Sequence, residues 1–549
     1  MMLKSYVLSA LCAVYAILPT FGQFLAESSV PLQEQQILQK LKELQLGGDH
    51  EHIMPSDARI AKLQQELSTI YTALPKNSRG ALRLSTARYV LHRLFVQRHG
   101  WHFKGLAPEG DTWDSTSPTH ALTNRVPEAV TALFQQHLDK HGLNLKDLAT
   151  LGALLENMVH SEADVRLAAA FNAWDLPLAT KLNLNESTAV LETYMASFVM
   201  GSDAQQLRSN GMASKTTMLQ KLHDVAEQYP TWPNTQSFLQ MIRQEVTPDR
   251  ANFSFPDLSA VVAEAGERYG RWQSHECSEL KHQLLEHEEH PNTGRVRLSE
   301  FYAMALHGGH WQFSESVAYL RQLGALDESD PEVIRVIVPN YILGPSNCIA
   351  SSGYFAVCCI DECDAKLRAL EWSLERSQAS PNAIMTALNV STSRAVQKKL
   401  REVAKHHGGE VPLHGRLFAQ WMHHVYPQEC PFPHMSGTIN PLHPEIFEEE
   451  VGQSVGASKE EMQQHLENAK WRKAPNFEEG LCSNMWTMEE ELVDPVRDNG
   501  PASVWPRGAL RGLALATAVG SLVLTMAKLM TNVRPESWKS STAPKVYCV

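Results

Sequence analysis

The chain has 549 residues, 61 acidic against 49 basic side chains for a net charge of −12, and 43% hydrophobic residues. That acid excess leaves no basic footprint for nucleic acid or an anionic lipid surface. The length and apolar content suffice for one large or two to three ordinary domains.

In chain order, residues 1–22 read as a signal peptide: Lys4, an apolar run from Val7 to Leu18, and a small-residue exit at Thr20-Phe21-Gly22. Cleavage after Gly22 is expected, with Ala26 as the alternative. Residues 23–79 form an N-terminal helical segment, with amphipathic helices expected at 32–45 and 57–74, the second capped by Ser56 or Asp57. Leu84, Ala87, Leu91, Leu94 and Phe95 mark one face of a helix that Gly100 ends. Residues 103–125 read as loop. Helical spacing returns at 127–141, 145–174, 188–225 and 257–290, with Pro230, Pro233 and Pro248 placed in a loop between the last two. The run at 333–343 is the one convincing strand. Helices follow at 362–378, 392–406 and 412–426, then a loop at 427–445, a helix at 458–470 opened by a Ser458/Glu461 capping box, and a stalk at 471–507.

Gly512 to Ala527 is uncharged and rises about 24 Å, slightly short of the hydrocarbon core. Extending the span to 508–530 closes that gap, because Arg511 and Lys528 can snorkel to the interfaces. The tail, 531–549, carries Arg534, Lys539 and Lys545 against Glu536, which is the pattern of a cytoplasmic end. The expected protein is therefore type I and single-pass. Its membrane contact is that one span, and its domain is lumenal or extracellular. The signal, span and tail together hold five excess positive charges, so the ectodomain carries −17. The fold class is mainly α: a large multi-helix ectodomain over 80–470 with few short strands, plus one C-terminal transmembrane helix. The places where that ectodomain would divide into two subdomains are 230–256 and 291–297.

An oxidising compartment makes disulfides the first expectation for the cysteines. Cys12 and Cys548 fall in the signal and tail. Cys348, Cys358, Cys359, Cys363, Cys430 and Cys482 are expected to pair, with the connectivity open. Cys277, alone in a helical pattern, is expected to be free and buried. Sequons at Asn185, Asn252 and Asn389 are glycosylation candidates.

Three motifs carry chemistry. Arg98-His99-Gly100 resembles the phosphohistidine motif of histidine acid phosphatases, but Trp101 and His102 follow where that family continues with arginine, and the triplet ends a helix. An exposed helix end, with Arg98 and His99 favouring the dipole, is the plainer reading. Gly452-Gln453-Ser454-Val455-Gly456 matches a nucleophile elbow without the buried strand that mechanism needs. The strongest constellation is His414, His423, His424, Cys430 and His434, which could supply nitrogen and sulfur ligands to one transition metal. Its His-to-His gap resembles a copper site of tyrosinase-like proteins, although the order of residues departs from that pattern.

The phrases Gln97-Arg98-His99-Gly100-Trp101, His310-Trp311-Gln312-Phe313-Ser314, Pro345-Ser346-Asn347-Cys348 and Glu429-Cys430-Pro431-Phe432-Pro433-His434 resemble a set of membrane-tethered secretory proteins of unicellular algae, over residues 80 to 440. The resemblance implies that context and assigns no activity. The expected function is binding or structure by the tethered domain, through a protein or small-molecule partner. The alternative is a lumenal metalloenzyme, a copper- or zinc-type oxidoreductase using the 414–434 cluster.

Overall fold

A computed structural model describes residues 56–103, 105–106, 142–199, 222–223, 225–226, 229, 231–307, 313–330, 332–349, 355–390, 392–470 and 485–493. The signal, the helices expected at 32–45 and 127–141, Cys482, the span at 508–530 and the tail lie outside those residues. Among the described residues no helix is long and apolar enough to cross a membrane.

The chain is mainly helical, with few and short strands, as expected. The first core gathers six helices: α1 (Asp57–Ala73), α2 (Leu84–His99), α3 (Leu145–Ala173), α4 (Leu184–Val199), α5 (Trp232–Val246) and α6 (Phe255–Glu286). Local chemistry sets their starts. The Ser56 hydroxyl accepts from the Arg59 amide at the head of α1, and Asn144 with Asp147 forms a complete capping box on α3. Gly100 ends α2 in the left-handed region, at φ 68°. α1 buries Ile60, Leu63 and Leu67 in this core, so the N-terminal segment is integral to it.

The prolines account for the misread boundaries. Pro233 lies in the first turn of α5, a segment expected to be loop. Pro381 and Pro444 likewise open α11 (Pro381–Ala387) and α14 (Pro444–Val451), two helices that the periodicity did not announce. The first turn of a helix has no internal partner for its amides, so the proline there costs no hydrogen bond. The expected strand at 333–343 shortens for the same reason. Only β4 (Arg335–Ile337) is extended, and the chain turns at once into α9 (Val338–Ile342), with Pro339 in its first turn.

Beyond the first core the chain is built from short helix–strand–helix units. β2 (Arg295–Arg297) leads from α6 into α7 (Leu298–Leu306). α8 (Val317–Gln322), β3 (Leu326–Asp327), β4 and α9 follow. β4 lies between β2 and β3, antiparallel to both, with Val296 opposite Val336 and Leu326 opposite Val336. A second pair of units follows: α10 (Glu362–Leu374), β6 (Gln378–Ala379) and α11, then α12 (Arg394–His406), β7 (Val411–Pro412) and α13 (Arg416–Val425), with Ala379 opposite Val411. Each pair closes its own apolar core. α14 and α15 (Lys459–Lys470) complete the second core, giving it Phe447 and Met462. β1 (Trp101–Phe103) pairs with β5 (Phe355–Val357) and ties the end of α2 to this later half.

α6 places Leu258 to Tyr269 in the first core and Cys277 to Leu284 in the second. Neither expected division point therefore separates independent cores. Glycine permits two close backbone approaches. A Cβ on Gly270 of α6 would lie 2.0 Å from the His99 carbonyl oxygen, and one on Gly294 (φ 61°) would lie 1.9 Å from that of Pro427.

Three disulfides form: Cys277–Cys359, Cys348–Cys358 and Cys363–Cys430. Cys277 is thus not the free thiol expected from its helix. It is buried, and it faces the residue after Cys358, so that two adjacent cysteines anchor two different segments. Residues 485–493, read as part of a stalk, lie on the third core. Arg416 donates to Thr487 Oγ1 at 2.8 Å and to the Glu489 carbonyl at 3.0 Å, and the Leu417 amide donates to Glu490 Oε1.

Candidate functional site

The residues expected to ligate a metal do not converge. Cys430 is consumed by its disulfide to Cys363. His423 is fully buried and saturated: Nδ1 lies 2.6 Å from the Cys430 carbonyl oxygen, and Nε2 accepts from Arg295 at 3.0 Å. His424 packs edge-on against Trp486, His434 Nε2 bonds the Gly324 carbonyl at 2.8 Å, and His414 Nε2 bonds Glu371 at 2.7 Å. Among the described residues no group of three or more His, Cys, Asp or Glu side chains could hold a metal ion. The physical reason is local: a helix turns 100° per residue, so His423 and His424 face different neighbours, and the oxidised Cys430 has no thiolate to offer.

The Arg98–His99 helix end is not exposed either. His99 is buried, stacked on Trp101 at 4.0 Å between ring centres, with Nδ1 bonded to the Glu267 carbonyl. It is a packed core histidine. Gly452 caps α14, and the Ser454 carbonyl accepts from Ser316, with no strand before it.

One further sequence pattern emerges only with the strands in view. Counted from Glu289, the turn between α6 and α7 has glycine at the sixth position and Glu300 at the twelfth, the spacing of a calcium-binding helix–loop–helix. Here the third position is Pro291, and the Glu289 carboxylate is gripped by Arg297 and Arg335. Guanidinium groups from β2 and β4 supply the positive charge that an ion would bring to that carboxylate.

The feature that does assemble chemistry is a cavity of about 540 Å³ between α2 and α13. Tyr89, His92, Arg93, Val96 and Gln97 recur at helical spacing along α2 and form one wall, with His102 and Phe103 of β1 continuing it. Phe418, Ala419 and Met422 of α13 also line it, with the irregular 431–441 segment, which brings Pro431, Phe432, Pro433 and Pro441. The N-terminal turn of α10 brings Asp361 and Asp364 to the floor, and His414 arrives from the turn before α13.

A buried ionic network anchors this wall. Arg93 donates through Nε to Asp364 and as a fork to Glu371, at 2.5 Å to Oε1 and 3.1 Å to Oε2, and His414 shares Oε1. The two carboxylates respond differently. Glu371 is buried, yet Arg93 and His414 together hold it down at about 2. Asp364 has one guanidinium contact and is pushed up by burial, with Glu371 as a like charge nearby. Burial and the adjacent Asp364 raise Asp361 further, to about 7, despite its bond from the Cys363 amide. His92 and His102 meet edge to face at 5.2 Å, and burial keeps both neutral, His102 depressed to about 4. His92 Nδ1, His102 Nε2, His414 Nδ1 and Asp364 Oδ2 have no hydrogen-bond partner within the protein.

Acid stability follows from these directions. Histidines held neutral in the fold bind fewer protons than when unfolded. Their contribution is complete above pH 6.5 and is lost as pH falls towards 4. Asp361 works oppositely: its contribution is complete below 3.8 and gone above about 7. Thermal melts are expected to show a fall in Tm beginning below pH 6.5, which His102→Gln flattens, and a second fall below pH 4.5 as Glu371 and Glu267 take up protons. Because Asp361 opposes the histidines over this window, the deciding outcome is the comparison: the same Tm slope between pH 6.5 and 4 in His102→Gln as in the wild type would contradict the neutral assignment.

No protein-family model, curated protein or solved structure matches the chain. The sequence reading reaches His414 and His434 of the cavity but misses Tyr89, His92, Arg93, His102, Asp361 and Asp364, and the Glu371 behind them that holds Arg93. The polar stripe on α2 was the one available signal. The carboxylate and carbonyl partners of Arg93 and Gln97 lie more than 260 residues away, with Arg93 and Asp364 separated by 271 positions.

Proposed function

We propose that the described domain is the lumenal or extracellular part of a membrane-tethered protein of the secretory route, and that it acts by binding a small molecule in the α2–α13 cavity. The observation that carries this reading is the cavity itself. Its volume suits a small-molecule ligand, its walls are mostly apolar, and several of its lining residues carry buried polar atoms with no partner in the protein. Native interiors leave few such atoms without a partner, so a cluster of them in one cavity calls for a guest. The setting is supported by three disulfides, which persist in oxidising compartments. The apolar segments at 1–22 and 508–530 supply the address, and Asn185, Asn252 and Asn389 are exposed, as glycan acceptors must be.

The test uses the full-length chain, purified in mild detergent and extracted for small molecules, beside Ala419→Trp, which fills the cavity from α13. A compound is expected to co-purify with the wild type and to drop about tenfold in the variant, the loss that excluding a ligand from a packed site produces. Both proteins should melt cooperatively at similar temperatures. Absence of any such compound, or equal recovery from the two, would overturn the reading.

A further inference from the structure

We propose that the ligand of this cavity carries a protonated amine, seated against Asp361 and Asp364, with its apolar body along Phe418, Met422 and Phe432. This inference rests on the small-molecule reading above and adds the chemical class of the ligand.

The argument is a balance of charge in a confined place. Among the described residues Arg93 is the one guanidinium in ion-pair contact with Asp364 and Glu371, and its charge also acts on Asp361. Both oxygens of Glu371 are used, by Arg93 and His414. Asp364 is 5% exposed, and its Oδ2 has no partner. Of the two cations on α10 itself, Lys366 pairs with Glu429, and Arg368 is exposed to solvent and acts on Asp364 less than Arg93 does. Burying an unpaired carboxylate is costly, and the protein lowers that cost by holding Asp361 and Asp364 protonated more readily than in water. An ammonium placed between them would replace that proton and give Oδ2 its missing donor. The Tyr89 ring, already 5.2 Å below the Arg93 guanidinium, adds an aromatic face suited to cations. Beside Asp361 and Asp364 a carboxylate or phosphate has the opposite fit, since all three donor nitrogens of Arg93 are engaged by carboxylates, while the other guanidinium lining the cavity, Arg416, holds Thr487 and the Glu489 carbonyl. Apolar residues on α13 and the 431–441 segment would cover a hydrocarbon or aromatic body.

The experiment titrates the full-length chain in lipid nanodiscs with dansylcadaverine and with its N-acetyl derivative, which keeps the ring and tether but loses the charge. Empty nanodiscs serve as the blank. The amine is expected to bind about tenfold tighter than the acetylated form, a difference typical of one desolvated charge contact. Asp361→Asn keeps the helix cap, because asparagine also accepts the Cys363 amide. It is expected to weaken the amine about fivefold and leave the acetylated probe unchanged, with Asp364→Asn behaving alike. Amine affinity should also rise between roughly pH 6 and 8, as the displaced proton becomes easier to remove. Equal or tighter binding of the acetylated probe, amine binding insensitive to Ala419→Trp, or no binding of either probe would overturn the amine assignment. A neutral or anionic compound co-purifying with the wild type would overturn it too, while leaving the cavity reading intact. Only the absence of any cavity-dependent compound removes the reading beneath.

Discussion

Replacing both Cys277 and Cys359 by serine is expected to lower the unfolding free energy by about 4 kcal/mol, from the loop-closure entropy of a bridge this long. The bridge spans 82 positions and fastens α6 to the segment after β5. Released, the unfolded chain regains the freedom of that whole loop while the folded chain keeps its packing. The double variant is the cleaner measurement, because Cys277→Ser alone would leave Cys359 as a thiol beside Cys358 and invite exchange with the Cys348 bridge. Denaturant titration of wild type and variant under non-reducing conditions reads the difference. If Cys277 were instead a free, buried thiol, Cys277→Ser would cost no more than a small packing defect, and thiol labelling of the unfolded protein would find it.

Arg93→Met is expected to cost about 3–5 kcal/mol, the penalty for stripping a buried ion pair of one partner. Arg93 holds Asp364 and Glu371, both nearly excluded from solvent. Without the guanidinium, Glu371 would keep only His414, and Asp364 would keep no cation at contact distance. The loss is expected to be largest at alkaline pH, where both acids would be charged, and to shrink as pH falls and they take up protons. Adding Glu371→Gln and Asp364→Asn to Arg93→Met should recover much of the stability, since a neutral set of similar shape removes the unpaired charges. An Arg93→Met protein that melts like the wild type at pH 8 would mean that the network contributes no stability.

These two sites also show where reading a sequence succeeds and fails here. The α1, α2, α3, α6, α12 and α15 helices were legible because their apolar residues recur at helical spacing and their caps, Ser56, Gly100 and Ser458 among them, act within four residues. Proline misled at α5, α11 and α14, since the same residue breaks a helix in its middle and starts one in its first turn. The histidines at 414–434 were grouped because they are close in the chain. Their side chains then went to Glu371, Arg295, Trp486 and Gly324, four different neighbours.

By itself the sequence determined the mainly helical class, the acidic character of the domain, and the expectation of disulfides in an oxidising compartment. Each depends on composition or on interactions a few residues long. Only the tertiary structure decided that Cys277 takes Cys359, that Cys430 is a bridge and not a ligand, and that Arg93 meets Asp364 and Glu371 at the floor of a cavity. Those pairings join positions 67 to 278 residues apart. Local propensity carries no information about which distant segments meet, because that choice is made by packing segments into three cores, two of them along α6, and by the backbone approaches that Gly270 and Gly294 permit.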